Sequence, residues 1–258
     1  MKSVRETLIC FTKDELGELE MNPEKFKKFL EEENLPIDAK KMEQYDKYLE
    51  LLQEWNEKIN LTAITEEEEV YLKHFYDSLT LAKHYDFKNK SLKLCDVGSG
   101  AGFPSIPLKI LFPEIEITIV DSLKKRINFL ERLVKELALE NVYLHHARAE
   151  DFGQDKKFRQ SFDIVTARAV ARLSVLSEFC LPITKQEGKF VAMKGSQGVD
   201  ELEDAKKAIQ TLGGKLNRIE NFELPFDAGE RTIIFIDKVK KTPNKYPRQA
   251  GTPNKKPL

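Results

Sequence analysis

The stretch Asp96-Val97-Gly98-Ser99-Gly100-Ala101-Gly102 has the composition of a ligand-binding turn. Glycines between a strand-like and a helix-like stretch let a ligand touch backbone amides without meeting side chains. The spacing Gly98-x-Gly100-x-Gly102 departs from the GxGxxG of dinucleotide proteins. The acid opening the turn departs further. Asp96 would repel a pyrophosphate, but it could receive the positively charged amine of a methionyl tail, or a water bridging to it. Asp121 lies 23 residues beyond Gly98, near where such folds bind ribose hydroxyls. Its oxygens can accept both bonds of a cis diol, or can cap a helix opening at Ser122 or Leu123. A third acid stands in Ala149-Glu150-Asp151, where a backbone amide and a carboxylate can reach an adenine edge. Alone, Glu150 reads equally well as a surface residue. Parallel strands put their carboxyl ends on one side, so the three acids are expected to line one crevice.

Positioning them requires alternating strands and helices. Apolar periodicity predicts strands over Leu92–Val97, Ile115–Val120, Val142–His145, Phe162–Ala167, Lys189–Met193, Arg218–Leu224 and Thr232–Ile236. Between them it predicts helices over Pro104–Leu111, Lys124–Leu139, Leu173–Leu181 and about Val199–Leu212. This order implies right-handed βαβ units and a mainly parallel sheet. Asp227-Ala228-Gly229 signals a turn joining the last two strands as an antiparallel edge. Upstream, apolar residues at three- and four-residue steps predict helices from Pro23 to about Ile59, broken at Leu35-Pro36-Ile37-Asp38 with Asp38 as N-cap. Another is predicted from about Glu67 to Lys83, its acidic start suiting the helix dipole. The aromatic stripe Tyr45, Tyr48, Trp55 reads as packing rather than a ligand box. After Lys240 the prolines at 243, 247, 253 and 257 preclude regular structure. Three regions follow: a helical extension over 1–90 packing on the core, a ligand-binding domain over 91–239, and a basic tail over 240–258.

Hydrophobic residues make up 41% and charged residues 33% of 258, enough for a core. No apolar run is long enough to span a membrane, and Met1–Phe11 lacks the apolar core of a secretory signal, so a cytoplasmic protein is expected. Cys10, Cys95 and Cys180 are too far apart for a zinc knuckle or disulfide framework and read as core fillers. His145 and His146 would face opposite sides of a strand, so no metal site is expected. His74 reads as a hydrogen-bonded, partly buried histidine rather than a base. The net charge of −1 hides asymmetry: residues 1–70 hold 19 acids and 10 bases, while 238–258 hold seven bases and no acid. Such a tail suggests a polyanion contact, or mere solubility.

Several stretches together are more specific. They are Trp55-Asn56-Glu57-Lys58-Ile59-Asn60-Leu61-Thr62-Ala63-Ile64, His74-Phe75-Tyr76-Asp77-Ser78-Leu79, and Asp96 to Pro107. Asp121-Ser122-Leu123-Lys124-Lys125-Arg126, Thr166-Ala167-Arg168-Ala169 and Lys245-Tyr246-Pro247-Arg248-Gln249-Ala250-Gly251-Thr252-Pro253 complete them. On these, running in order from about residue 40 to 258, the chain resembles the bacterial small-subunit ribosomal RNA methyltransferase G family, the guanine-N7 enzymes also called GidB. The first 20 or so residues match nothing. The Asn-Leu-Thr-Ala motif and the tail discriminate more than the glycine loop.

The resemblance implies a Rossmann-like class I fold that binds S-adenosylmethionine (SAM), with a mainly parallel seven-stranded sheet, an antiparallel edge and preceding helices. It implies methyl transfer to N7 of one guanosine in the decoding-region loop of 16S rRNA, with the rRNA or a small-subunit precursor as partner. Carried over by motif, Gly98 and Phe103, Asp121 with Ser122 and Leu123, and Ala149 with Glu150 would contact the cofactor, beside Asp96, Gly100 and Gly102. Phe103 stands where other members have an aliphatic residue; a ring still fills an apolar wall. Arg168 would sit at the site mouth, on phosphate or the cofactor carboxylate, or else serve as a structural bridge between strand and helix. N7 carries an in-plane lone pair, so no general base is needed and catalysis can rest on placement. Arg126, Arg148, Arg172, Lys194, Lys245 and Arg248 are candidate RNA contacts, with the tail extended and accessible to phosphates, unless Tyr246-Pro247-Arg248 folds back to brace the cofactor crevice, as the resemblance to the family's shared tail permits. Nothing demands a dimer, and a monomer is expected. A small-molecule methyltransferase with the N-terminal helices as a lid, and an inactive SAM- or RNA-binding protein, are the competing readings. The basic tail and the polar outer faces of the helices speak against the first.

Overall fold

Side-chain caps set the starts of the first two helices. The computed structural model describes residues 20–88 and 92–258, so Met1–Phe11 and Cys10 lie outside the described residues. Asn22 accepts a hydrogen bond from Lys25 N and Pro23 sits in the first turn of α1 (Pro23–Glu32), where a proline costs no amide bond. Asp38 caps α2 (Ala39–Ile59) by accepting from Lys41 N, and Asn60 ends that helix in the left-handed conformation. The next helical stretch is less regular than its periodicity predicts. It comprises α3 (Glu67–Val70), a π-helical turn (Tyr71–Tyr76), α4 (Asp77–Leu79) and α5 (Leu81–His84). Such π-turns are rare and concentrate at functional sites.

The strands are β1 (Lys93–Val97), β2 (Glu116–Asp121), β3 (Val142–His146), β4 (Phe162–Arg168), β5 (Thr184–Lys194), β6 (Gly214–Glu223) and β7 (Glu230–Lys238). They form one sheet in the order β3-β2-β1-β4-β5-β7-β6. The first five are parallel, and β7 runs antiparallel to both β5 and β6. The expected hairpin therefore exists, but β6 alone is the edge. Between strands lie α6 (Ser105–Leu111), α7 (Lys124–Glu136), α8 (Ala149–Gln154), α9 (Leu173–Cys180) and α10 (Gly198–Thr211); α11 (Thr252–Lys255) follows β7. Buried runs such as Ile117, Ile119 and Val120 on β2 explain why parallel strands read as continuous apolar stretches. No helix of the described residues is long and apolar enough to cross a membrane.

The N-terminal helices do not form a separate core. Met21, Phe26, Tyr45, Tyr48 and Phe75 cluster with Ile117 and Phe235 of the sheet and with Ile106 and Phe129 of the helices beside it. Each fully buried ring of this kind stabilises the fold by roughly 1.5–3 kcal/mol. The rings run as a chain: Phe26 on Tyr45 (5.0 Å), Tyr48 on Phe75 (5.1 Å), Tyr48 stacked on Phe103 (5.4 Å). The aromatic stripe is packing, and it ends on the glycine loop. Cys95 and Cys180 are free and buried in the second apolar cluster.

The tail needs correcting on two counts. A single helical turn forms at Thr252–Lys255 despite the prolines, with Pro253 in its first turn, a position proline tolerates. The tail is also docked rather than extended. Arg159 donates to Thr242 O (3.0 Å), Pro243 O (3.1 Å) and Tyr246 O (2.7 Å), and Tyr246 is buried. Lys238 is not a free tail cation: it is buried, donating to Leu181 O (2.6 Å) and Leu212 O (3.0 Å).

Candidate functional site

Because β1, β2 and β3 are parallel, the turns after them open on one side. A cavity of about 340 Å³ lies there, lined by Gly98, Asp121, Ser122, Arg126, Ala149, Glu150, Val170 and Phe179 among others. Of the expected cofactor residues, the fold brings five together: Gly98, Asp121, Ser122, Ala149 and Glu150. Asp96, Gly100, Gly102, Phe103, Leu123 and Arg168 are outside this lining.

Asp121 organises the crevice. It is buried, and its carboxylate accepts from Leu123 N (2.8 Å), Gly100 N (3.3 Å) and the Arg126 guanidinium (3.4 Å). The capping alternative is thus present at Leu123, while the same carboxylate ties the glycine loop to the start of α7. A carboxylate has about four acceptor sites, so these bonds orient it without exhausting it. Glu150 is no surface residue: it is buried, accepting from Gly251 N at 2.8 Å.

The glycines divide their work. Gly98 and Gly100 have φ of +76° and +62°, a region open to glycine and costly for branched residues. A Cβ on Gly100 would meet nothing within 4 Å, whereas one on Gly98 would lie 2.9 Å from Val170. The Cβ direction of Gly102 faces protein. A Cβ there would lie 2.7 Å from the Tyr48 hydroxyl and 2.8 Å from Ile106, so this glycine exists to let α2 pack. Phe103 is likewise buried between Tyr48 and His74, the latter stacked at 4.4 Å; its ring is covered by protein.

Behind the loop, Asp96 is fully buried. One oxygen accepts from Ser105 N (3.2 Å) and the other has no partner. Ser99 Oγ, Ser105 Oγ and Thr166 Oγ1 are also buried without partners, and Thr166 is the register neighbour of Asp96 across β1 and β4. Native proteins rarely leave such atoms unpaired, so this group fits a polar ligand end such as an ammonium. Desolvation pushes the Asp96 carboxyl up to about 7, opposed by its bonds to Ser105 and by the Arg168 charge.

A second cavity, about 460 Å³, adjoins the first at Ala169. His74, Asp77, Arg168, Lys194, Gln197 and Arg231 are among its walls; both volumes fall in the range of small-ligand sites. Arg168 donates to Asp77 (2.9 Å) and to Lys73 O (3.2 Å), and Arg231 to the other Asp77 oxygen (3.0 Å). The expected bond from Arg168 to a phosphate or cofactor carboxylate is replaced by this bridge from β4 to α4. His74 receives Arg168 Nη2 at Nδ1 (3.3 Å) and meets Thr62 Oγ1 at Nε2 (2.8 Å). Burial, reinforced by Arg168, lowers its pKa to about 3, so it is neutral and cannot serve as an acid at pH 7. The Asn60-Leu61-Thr62-Ala63 motif has a physical reason here. Asn56 accepts from Thr62 N (2.8 Å), closing a turn that holds Thr62 against His74.

The expected RNA contacts also sort out. Lys194 is paired with Glu201 (2.7 Å) and Ala171 O, and Arg248 with Glu178 (2.6 Å); both are partly buried and have their charge matched by a carboxylate. Arg126 belongs to the crevice through Asp121. Arg172 and Lys245 are exposed, as are Lys240, Lys241, Lys255 and Lys256. Asp77, Arg231, Val170 and Asn254 were not singled out by sequence. Only Asp77 carried a signal, as an acid inside an apolar helical run.

The sequence profile of GidB, rRNA small subunit methyltransferase G, matches residues 41–234. The ribosomal RNA small subunit methyltransferase G of Geobacillus sp. (strain WCH70) is 58% identical over 238 residues, 92% of this chain and 100% of its own length. The protein of the same name from Oceanobacillus iheyensis is also 58% identical over the same shares, and that from Bacillus cereus (strain AH187) is 57% identical, covering 92% of this chain and 99% of itself. Among solved structures, the YcgJ protein from Bacillus subtilis superposes with a TM-score of 0.50 at 15% identity, over 65% of this chain and 100% of its own. BH2331 from Bacillus halodurans C-125, described as a candidate methyltransferase, gives 0.51 at 12%, over 64% and 100%. At those identities the likeness is one of fold, the Rossmann-like sheet.

Proposed function

The chain belongs to the rRNA small subunit methyltransferase G family, and from that premise we propose that it transfers a methyl group from SAM to N7 of a guanosine in 16S rRNA, acting as a cytoplasmic monomer. The observation that carries the reading is the pair of cavities meeting at Ala169. One is floored by buried acids at successive strand ends, the other by a charge-balanced polar cluster. SAM supplies an electrophilic methyl on a sulfonium, and the first cavity holds it.

Each residue then has a task. Asp121 accepts from the ribose hydroxyls, with Ser122 and Leu123 beside it. Ala149 and Glu150 border the adenine, while Gly98 and Gly100 leave room for the backbone to approach. Asp96 takes the methionyl amine with its unpartnered oxygen. Val170, resting on Gly98, must swing aside for that tail to enter. The guanine enters the second cavity from the far side of Ala169. Guanine becomes cationic as N7 is methylated, so unpaired cations beside it would oppose the reaction. Asp77 engages both Arg168 and Arg231, and His74 stays neutral; the pocket can hold the base without that penalty. Catalysis rests on in-line placement, with no proton to remove.

The exposed lysines 240, 241, 245, 255 and 256, with Arg172, are assigned to RNA phosphates. The test is incubation with methyl-labelled SAM and 16S rRNA, small subunits or a small-molecule extract, followed by strand cleavage at 7-methylguanosine. Label at one guanosine is the expected result. Label confined to the small-molecule extract would overturn the reading in favour of a metabolite substrate.

A further inference from the structure

The C-terminal segment is built into the wall of the cofactor crevice. Pro247 lies against α8 at Gly153, where a Cβ would come within 2.8 Å of the proline ring. Gln154 Nε2 donates to Pro247 O at 2.6 Å. Arg248 makes a two-pronged bond to the buried Glu178 (2.9 and 2.6 Å) and adds its own amide (2.8 Å). Gly251 N then donates to Glu150 at 2.8 Å. These contacts bring α11 to the crevice, and Asn254 lines it beside Ala149, Glu150 and Phe179.

We propose that Asn254 contacts the adenine edge of SAM, so that the docked tail supplies a specificity-determining residue to the cofactor site. The proposal rests on the reading that this crevice holds SAM. Asp121 marks the ribose position, and the residues after β3 mark the base beyond it; Asn254 stands on that base side. The adenine edge offers an amine donor next to a ring-nitrogen acceptor. A carboxamide offers one acceptor and one donor side by side, the pairing that makes asparagine a common partner of adenine. Of the other polar residues on that side, Glu150 already has one oxygen engaged by the tail amide, and Arg148 carries donors only. The carboxamide can satisfy both positions.

The test uses the full chain and two ligands in calorimetry: S-adenosylhomocysteine, and an analogue whose purine lacks the 6-amino group. The wild type is expected to bind the analogue about 10-fold more weakly, the scale of one well-made hydrogen bond to a buried ligand. In Asn254→Ala that ratio should shrink to less than about 3-fold, because the partner of the amine is gone. An unchanged ratio would overturn the proposal, since a residue acting only on tail folding would weaken both ligands alike. Asp121→Ala separates the two levels of inference: it should weaken both ligands and keep the wild-type ratio. Should it weaken neither, the crevice itself would be refuted as the cofactor site. Gly153→Ala checks the docking. Alanine favours the helix but collides with Pro247, so affinity should fall at least several-fold with α8 intact. Wild-type affinity in this variant would show that the tail is not part of the site.

Discussion

Asp96 is expected to make SAM affinity depend on pH, with a sign set by its burial. Its carboxyl is raised from 3.8 to about 7 by desolvation; the Asp121 charge adds to the rise, while Ser105 and Arg168 oppose it. An ammonium ligand favours the ionised form, so binding must expel a proton wherever the free protein holds one. At pH 6 roughly one molecule in ten is ionised, at pH 8 about nine in ten. Ionisation of the carboxylate alone would raise affinity about 10-fold between these values, or about 1.4 kcal/mol; loss of the ligand's own amine proton near pH 8 cuts this to roughly 4-fold. Above about pH 8 the ligand's own amine loses its proton, and affinity should fall again. Free-protein stability runs the opposite way. A raised folded pKa adds stability that is complete below about 3.8 and is lost as pH rises through about 7. Calorimetry from pH 5.5 to 9 measures the first effect and thermal melts the second. Asp96→Asn can still accept from Ser105 N but cannot titrate, so its acid limb should be flat. A flat wild-type limb, or an unchanged limb in the variant, would refute the assignment of the amine to Asp96.

Asp121→Ala should cost about 1–3 kcal/mol of SAM affinity, the loss of buried bonds to a charged group; unchanged calorimetry in a folded variant would end the ribose assignment. Gly100→Val should abolish SAM binding while leaving the fold largely intact, because a branched side chain resists φ of +62° and fills open space. Normal methyl transfer by it would make the loop a mere turn. Gly102→Ala should behave in reverse, lowering the melting temperature by several degrees through overpacking of about 1–3 kcal/mol against Tyr48 and Ile106, with SAM affinity retained by the folded fraction. Replacing lysines 240, 241, 245, 255 and 256 with glutamine should reduce the salt slope of RNA binding by about 2 units if roughly half of them touch phosphate. An unchanged slope would leave them as solubilising charges.

Local rules and long-range ones were unequally legible in the sequence. Asn22 and Asp38 announce their helices because a cap acts within three residues. The parallel run of the sheet follows from its alternating helices, and the three acids could be placed on one side because parallel strands share a direction; the crossover that sets β4 beside β1 had no local signal. Nothing in a GxGxG string says that a Cβ at Gly102 would meet Tyr48, 54 positions earlier. Arg248 read as a free cation, and the bridging role open to Arg168 had no named partner, because Glu178 and Asp77, which take up their charge, are 70 and 91 residues away. The docking of the tail depends likewise on Gly153 and Arg159, whose roles have no sequence signature. Prolines after residue 240 excluded long helices, but an irregular segment can still be held firmly when its carbonyls find donors elsewhere.

The π-helical turn at Tyr71–Tyr76 has a consequence for how this chain can vary over time. An α-helix advances about 100° per residue, and the π-turn absorbs an additional one. Winding the same residues as a regular helix would rotate one flank by that angle. On one flank Tyr71 packs edge-on to Phe26 at 5.1 Å; on the other Asp77 holds two arginines. No regular helix of the same length presents both in their present directions. Replacements that straighten the turn at unchanged length should be purged, while loss of the extra residue, which leaves both flanks facing as they do, should be tolerated. Among descendants, the relative facing of its two flanks should be more constant than its length.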